Sequence, residues 1–235
     1  MSCTGRYAEI ETDGYSIHRA ALTTDAIDEL GASLDRLAAG DAKYGIRNLL
    51  AKAPEIRDLA NAPWIKALVD PVLGPNAFPV RAILFDKVPA ANWGVSWHQD
   101  LTIAVKKRID IDDYGAWSVK AGVPHVQPPA EVLRAMLTLR IHLDDANESN
   151  GALIVVPGSH LMGRLASEQI ARLVEHSRFR LCEVQAGDVL AMRPLLVHAS
   201  RTAPAPARRR VIHVEYAACA LPSGLTWFEA APGGA

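Results

Sequence analysis

Residues 180–217 read RLCEVQAGDVLAMRPLLVHASRTAPAPARRRVIHVEYA, and the fold turns on this stretch. Its apolar runs, 180–184, 189–192, 195–198 and 211–217, are too short for ordinary helices and rich in branched residues. Ala186-Gly187-Asp188 and the proline-rich 203–207 separate them as turn clusters do. Upstream, 80–88, 136–143 and 153–156 have the same character, broken by Glu148-Ser149-Asn150-Gly151 and Pro157-Gly158-Ser159. One helical segment, 167–175, interrupts the series. Many short strands with turns between them predict a sandwich or jelly roll.

The first third reads differently. Thr24 can cap a helix carrying Ile27, Leu30, Leu34 and Leu37 at helical spacing, with Gly40 to end it. Residues 54–60 form a short helix, and Pro63 opens another through Trp64, Ile65, Leu68 and Val69, closed by Gly74. The expected organisation is a single domain, 1–235. A mainly helical flank (1–79) leads into a β core (80–217), and a tail (218–235) is frayed from Ala230 on. Within the core, 101–131 is long and irregular with Trp117 and Val123 as apolar anchors, which predicts a lid over a site.

Composition narrows the partners. With 25 Lys and Arg against 26 Asp and Glu, no field gathers nucleic acid or an anionic membrane. Cys3, Cys182 and Cys219 make no CxxC, which suits a reducing compartment. The first ten residues lack the apolar core of a signal peptide, and no run is long enough to cross a bilayer. The expectation is a cytoplasmic protein whose partner is a small molecule; oligomeric state is not legible.

A non-haem Fe(II) centre of the oxygenase type needs two imidazoles and one carboxylate on one face of the metal. In extended chain, residues i and i+2 point the same way, so His-x-Asp supplies two of these. His98-Gln99-Asp100 has that spacing, but so do His142-Leu143-Asp144 and, with glutamate, His213-Val214-Glu215. Spacing alone does not choose among them. Context favours His98 and Asp100, which precede the long irregular segment at a strand edge. Asp144 and Asp145 read as turn formers, and His213-x-Glu215 as a partner of the nearby basic run.

The third ligand has to come from a distant strand. His198 ends the run Leu195-Leu196-Val197, where the plainer reading is a hydrogen-bonded histidine at a strand end. What favours the metal is the next strand, opened by Arg208-Arg209-Arg210. Its alternation puts Arg209, Val211 and His213 on one face, and a guanidinium there can grip a carboxylate with two hydrogen bonds. The competing reading leaves the three arginines solvated at a sheet edge.

Trp97-His98-Gln99-Asp100, Asn150-Gly151-Ala152-Leu153, Pro157-Gly158-Ser159-His160, Gly187-Asp188, His198-Ala199-Ser200 and Arg209 resemble the phytanoyl-CoA dioxygenase family in order and spacing. The resemblance implies a mainly β fold with flanking helices, the cupin-like double-stranded β-helix. It implies Fe(II), 2-oxoglutarate and O2 as cofactors, with His98, Asp100 and His198 as iron ligands. Arg209 then takes the far carboxylate of 2-oxoglutarate and Ser200 is a second contact. Arg140 stands where relatives often carry a tryptophan near the cosubstrate. Trp117 falls in the region that covers the substrate pocket, and His160 is a turn residue outside the iron site. The implied activity is hydroxylation of a small metabolite, with 2-oxoglutarate and O2 converted to succinate and CO2.

Two other readings compete. A cupin-like isomerase or hydrolase would use the same metal ligands without 2-oxoglutarate, and so has no use for a buried Arg209. A non-enzymatic jelly-roll module would bind a ligand through 101–131 and hold no metal. Lys106, Lys107, Arg108 and Arg193 are further candidates for substrate contact, with solvation as the plainer fate of the basic run.

Overall fold

The computed structural model describes residues 3–38, 45–90, 92–205 and 207–230. Gly40, the expected stop of the first long helix, and residues 231–235 of the expected frayed tail lie outside them.

The helical flank follows the periodicity of its apolar residues. Helix α1 spans Cys3–Thr12, α2 Thr24–Ala38, α3 Leu49–Lys52, α4 Pro54–Ala60 and α5 Pro63–Leu73. Pro54 and Pro63 sit in first turns, where no intrahelical N–H is needed. Thr23, not Thr24, caps α2: its Oγ1 accepts the Ala26 N–H at 3.3 Å. Two short strands also lie in this third, β1 (Tyr15–His18) and β2 (Gly45–Arg47). Neither is long enough to show a period.

The core strands come next. They are β3 (Phe78–Lys87), β4 (Val95–His98), β5 (Ile103–Ala104), β6 (Gly115–Lys120) and β7 (Val123–Gln127). After the short helix α6 (Ala130–Arg134) come β8 (Met136–His142) and β9 (Leu153–Val155), then helix α7 (Ser167–His176). The last four are β10 (Arg180–Cys182), β11 (Val189–Met192), β12 (His198–Ser200) and β13 (Arg209–Ala217). The run expected at 195–198 is displaced: Leu195 and Leu196 turn, and the strand starts at His198.

Six strands pair in the order β1-β11-β8-β13-β3-β2, and four in the order β10-β9-β12-β4. Alternation assigns the faces of the larger sheet. Leu137, Leu139, Ile141, Ile212, Val214 and Tyr216 point outward to a core shared with Leu34, Ile56 and Ile65 of the helices. The Tyr216 hydroxyl donates to Ala60 O at 3.0 Å, tying β13 to α4. On the inner face Leu190 and Met192 pack against Leu153, Val155 and Cys182 of the smaller sheet, so the two sheets face each other as a jelly roll.

Residues 101–131 are not the irregular lid expected. They contain a third sheet, β5-β7-β6, followed by α6. Ile103, Val105 and Val126 are fully buried with Leu195, Leu225 and Trp227, so this sheet is built into a core of its own with the C-terminal segment.

Leu139 is wholly buried at the centre of the larger sheet. Leu139→Ala should cost about 2–5 kcal/mol, the range for emptying a packed leucine site. Urea denaturation should show a lower midpoint with an unchanged slope.

Candidate metal centre

Strands β4 and β12 are antiparallel neighbours, and His198 is the direct partner of His98. Directly opposed residues project from the same face of a sheet, so two histidines a hundred positions apart present their rings together. The ring centroids are 4.2 Å apart. Asp100 lies just beyond β4, its N–H donating to Pro194 O at 2.9 Å. Its carboxylate oxygens stand 3.8 Å from Nε2 of His98 and 3.8 Å from Nε2 of His198. One donor atom from each residue lies within 4.8 Å of the others.

The tautomers are set by backbone. Nδ1 of His98 meets Ser96 O at 2.8 Å, and Nδ1 of His198 meets Leu196 O at 2.9 Å. A carbonyl only accepts, so each Nδ1 carries the proton and each Nε2 keeps its lone pair toward Asp100. Burial drives the His198 pKa down to about 4, against the pull of Asp100, so the ring is neutral and able to ligate. Burial alone raises Asp100, but His198, His213, His98 and Arg81 outweigh it and hold the carboxyl at about 2. Two imidazoles with Nε2 turned toward one ionised carboxylate, on one side of an open cavity, fit a ferrous ion.

The cavity beyond the triad is walled by Phe85, Trp93 and Leu153 and by a set of cations. Arg209 is 4% exposed; it donates through Nη1 to Gly151 O, and its Nε is buried without a partner. Lys87 Nζ donates to Ser200 Oγ at 3.1 Å, and Ser200 Oγ to Gly151 O at 3.2 Å. Arg140 donates to His213 Nδ1 at 3.3 Å, and its Nε is also buried and unpaired. Burial, with the mutual repulsion of these cations, lowers Lys87 to about 8 and Arg209 to about 10. Among the described residues none of the three has a carboxylate partner. Uncompensated buried cations are costly, and an anionic guest relieves them.

The expected site residues therefore divide. His98, Asp100, His198, Arg140, Ser200 and Arg209 line one cavity. Trp117 does not. It packs into the core of the third sheet, where the Arg108 guanidinium lies 5.4 Å from its ring. The tryptophan of the cavity is Trp93, with Lys87 at 5.3 Å from its ring; neither was singled out by motif. Alternation along 80–88 was the available signal for Lys87, since it shares a face with Phe85.

The competing carboxylate pairs have other uses. Asp144 accepts from the Arg210 guanidinium at 2.9 Å and from its N–H at 2.7 Å, so it is more than a turn former. His213 Nε2 and Glu215 are 3.3 Å apart, and Glu215 pairs with Arg81 at 2.9 Å, not with the 208–210 run. Arg208 is exposed, as the solvated reading expects, and is paired there with Asp35 and Asp86. Arg193 is taken up by Glu11 and the carbonyls of Arg134 and Met136, away from the cavity. His160 lies in a short 3-10 turn, as expected.

The family described as phytanoyl-CoA dioxygenase (PhyH) matches residues 10–211. No curated protein matches the chain by sequence. Among solved structures, AviO1 from Streptomyces viridochromogenes Tue57 is 27% identical with a TM-score of 0.69, over 94% of this chain and 97% of AviO1. EctD from S. alaskensis with bound Fe is 20% identical with a TM-score of 0.72, over 93% and 77% of the two chains. HygX from Streptomyces hygroscopicus with nickel and 2-oxoglutarate bound is 18% identical with a TM-score of 0.68, over 92% and 87%. The fold shared with them is the cupin-like double-stranded β-helix.

Removing one ligand should empty the centre. His98→Ala and Asp100→Ala should each lose most of the Fe(II) that the wild type retains after desalting, measured by metal analysis under anaerobic conditions. Stoichiometric iron in either variant would place the ion elsewhere.

Proposed function

The chain belongs to the phytanoyl-CoA dioxygenase family, and from that premise we propose that it hydroxylates a small-molecule metabolite. Its cofactors are Fe(II), 2-oxoglutarate and O2. The observation that supports a 2-oxoglutarate enzyme over a cupin-like isomerase or hydrolase is the buried Arg209 beside the triad, with no carboxylate of the described residues to pair with. A site that used only the metal would gain nothing from holding a guanidinium there.

The roles follow from placement. His98, Asp100 and His198 would hold the metal on one side and leave the cavity side free. Arg209 and Ser200, with Lys87 bonded to Ser200, would take the far carboxylate of the cosubstrate through charge-assisted hydrogen bonds. Phe85, Leu153 and Trp93 exclude water around it, which strengthens those bonds. When bound, Fe(II) and 2-oxoglutarate supply O2 activation and C–H oxidation, with succinate and CO2 as coproducts. Asp100 is a carboxylate where related halogenases carry a small residue, so its occupancy of that position favours hydroxylation, or desaturation and ring chemistry, over halogenation.

We place the protein in the cytoplasm. Cys182 and Cys219 are unbridged, and among the described residues no helix is long and apolar enough to cross a membrane. The partner is a small molecule rather than nucleic acid, in keeping with the formal net charge of −1.

Anaerobic addition of Fe(II) and 2-oxoglutarate should produce a weak visible charge-transfer band, and admitting O2 should release succinate. Arg209→Ala should weaken 2-oxoglutarate binding by at least about tenfold, as the loss of charged hydrogen bonds predicts, while iron is retained. Iron binding without any 2-oxoglutarate turnover would support the isomerase or hydrolase reading instead.

A further inference from the structure

A second group of cations stands further along the larger sheet from Arg209. Along the inner face of β13, Arg209 pairs with Lys87, His213 with Ile83 and Glu215 with Arg81. Arg47 of β2 is the partner of Ile83. Progressing from Arg209 toward Glu215 therefore leads first to His213, with Arg47 at the same level two strands away, and then to Arg81. Lys120, at the end of β6, reaches the same place from the third sheet: its Nζ donates to Thr102 Oγ1 at 3.2 Å, two residues beyond Asp100.

The charges here do not balance. Arg81 is paired with Glu215 at 2.9 Å, and both side chains are largely buried. That leaves Arg47 and Lys120 without a carboxylate of their own among the described residues, since Asp100 belongs to the triad. Burial lowers the proton affinity of both, and the neighbouring Arg81 lowers it further. His125 adds no further positive charge, because burial brings it to about 4, and its Nδ1 is turned to Val123 O at 2.9 Å. Arg47 also lines a surface cleft with Phe85 and Trp93, the two aromatic walls of the metal cavity. Phe85 and Trp93 thus border both spaces.

Resting on the oxygenase reading, we propose that the primary substrate carries an anionic oxo group, a carboxylate or a phosphate. Arg47, Arg81 and Lys120 receive that group on the side of the metal opposite Arg209. The exposed run Lys106, Lys107 and Arg108 is not this subsite: Arg108 is tied to Asp110 at 2.9 Å, and all three face solvent. The far carboxylate of the cosubstrate and the anion of the substrate would then approach the metal from opposite ends, each with its own cations. Such a division keeps two anions apart in one chamber and sets which end of the substrate lies over the metal.

The test uses protein loaded with Mn(II), as a paramagnetic reporter, and saturating 2-oxoglutarate. Methylphosphonate and acetate are titrated separately, and the relaxation of their phosphorus and carbon nuclei is followed by NMR. The wild type should enhance the relaxation of at least one of them; which one responds identifies the phosphate or the carboxylate class. Arg47→Gln and Lys120→Gln, which spare the Arg81–Glu215 pair, should each weaken that binding by about tenfold, as loss of a charged hydrogen bond predicts. Lys106→Gln should leave it unchanged, and thermal midpoints check that all variants are folded. Absence of enhancement for both anions overturns the proposal. So does binding that survives in both variants, because the anion then sits on the metal itself. If the Fe(II)–2-oxoglutarate band forms and neither anion responds, only this inference fails; if the band itself never forms, the oxygenase reading fails first.

Discussion

The antiparallel pairing of β4 with β12 puts His198 directly across from His98, and the rest of the site is arranged around that contact. Cross-strand partners share a face of the sheet, so the two rings are delivered to one point without a loop having to place either. Asp100 is then brought in by local parity, two residues past His98, and held by its N–H to Pro194 O at 2.9 Å. Each imidazole also uses its own strand. Nδ1–H returns to the carbonyl two residues back, at 2.8 Å for His98 and 2.9 Å for His198, which leaves the Nε2 lone pair available to a metal.

The larger sheet contributes the opposite wall and most of its charge. Its outer face is apolar and packs on the helices, while the inner face carries Lys87, Arg140, His213 and Arg209. Hydrogen bonds run from Arg140 to His213 and from His213 to Glu215, at 3.3 Å each, and from Arg81 to Glu215 at 2.9 Å. This relay joins Arg140, which lines the metal cavity, to Arg81 along the inner face of the larger sheet. It gives Glu215 two donors and so accounts for a buried carboxylate that is not a metal ligand.

Arg140 departs from the tryptophan often found there in relatives. A guanidinium 5.6 Å from the Phe85 ring keeps some of the flat, stacked character of an indole while adding charge. The third sheet departs from expectation in the other direction. A segment that reads as irregular is ordered because Ile103, Val105 and Val126 find partners in Leu225 and Trp227, more than a hundred residues downstream for the first two. Trp117 belongs to that packing and does not line the cavity of the triad.

Much of this was legible from residues alone. The short helices at 54–60 and from Pro63, the strands at 136–143, 189–192 and 211–217, and the jelly-roll class follow from period and turn chemistry, which are local. The ligand types and the face shared by Arg209 and His213 follow from strand parity, also local. Parity cannot say which face looks into a chamber, so spacing leaves His98-x-Asp100, His142-x-Asp144 and His213-x-Glu215 alike, and only their sequence context favours the first. Only the tertiary structure decided that His98 meets His198, that Lys87 and Trp93 wall the cavity, and that Arg193 and Trp117 stand apart from it. Those outcomes depend on strand order and on contacts between residues remote in sequence, and no window of a few residues contains them.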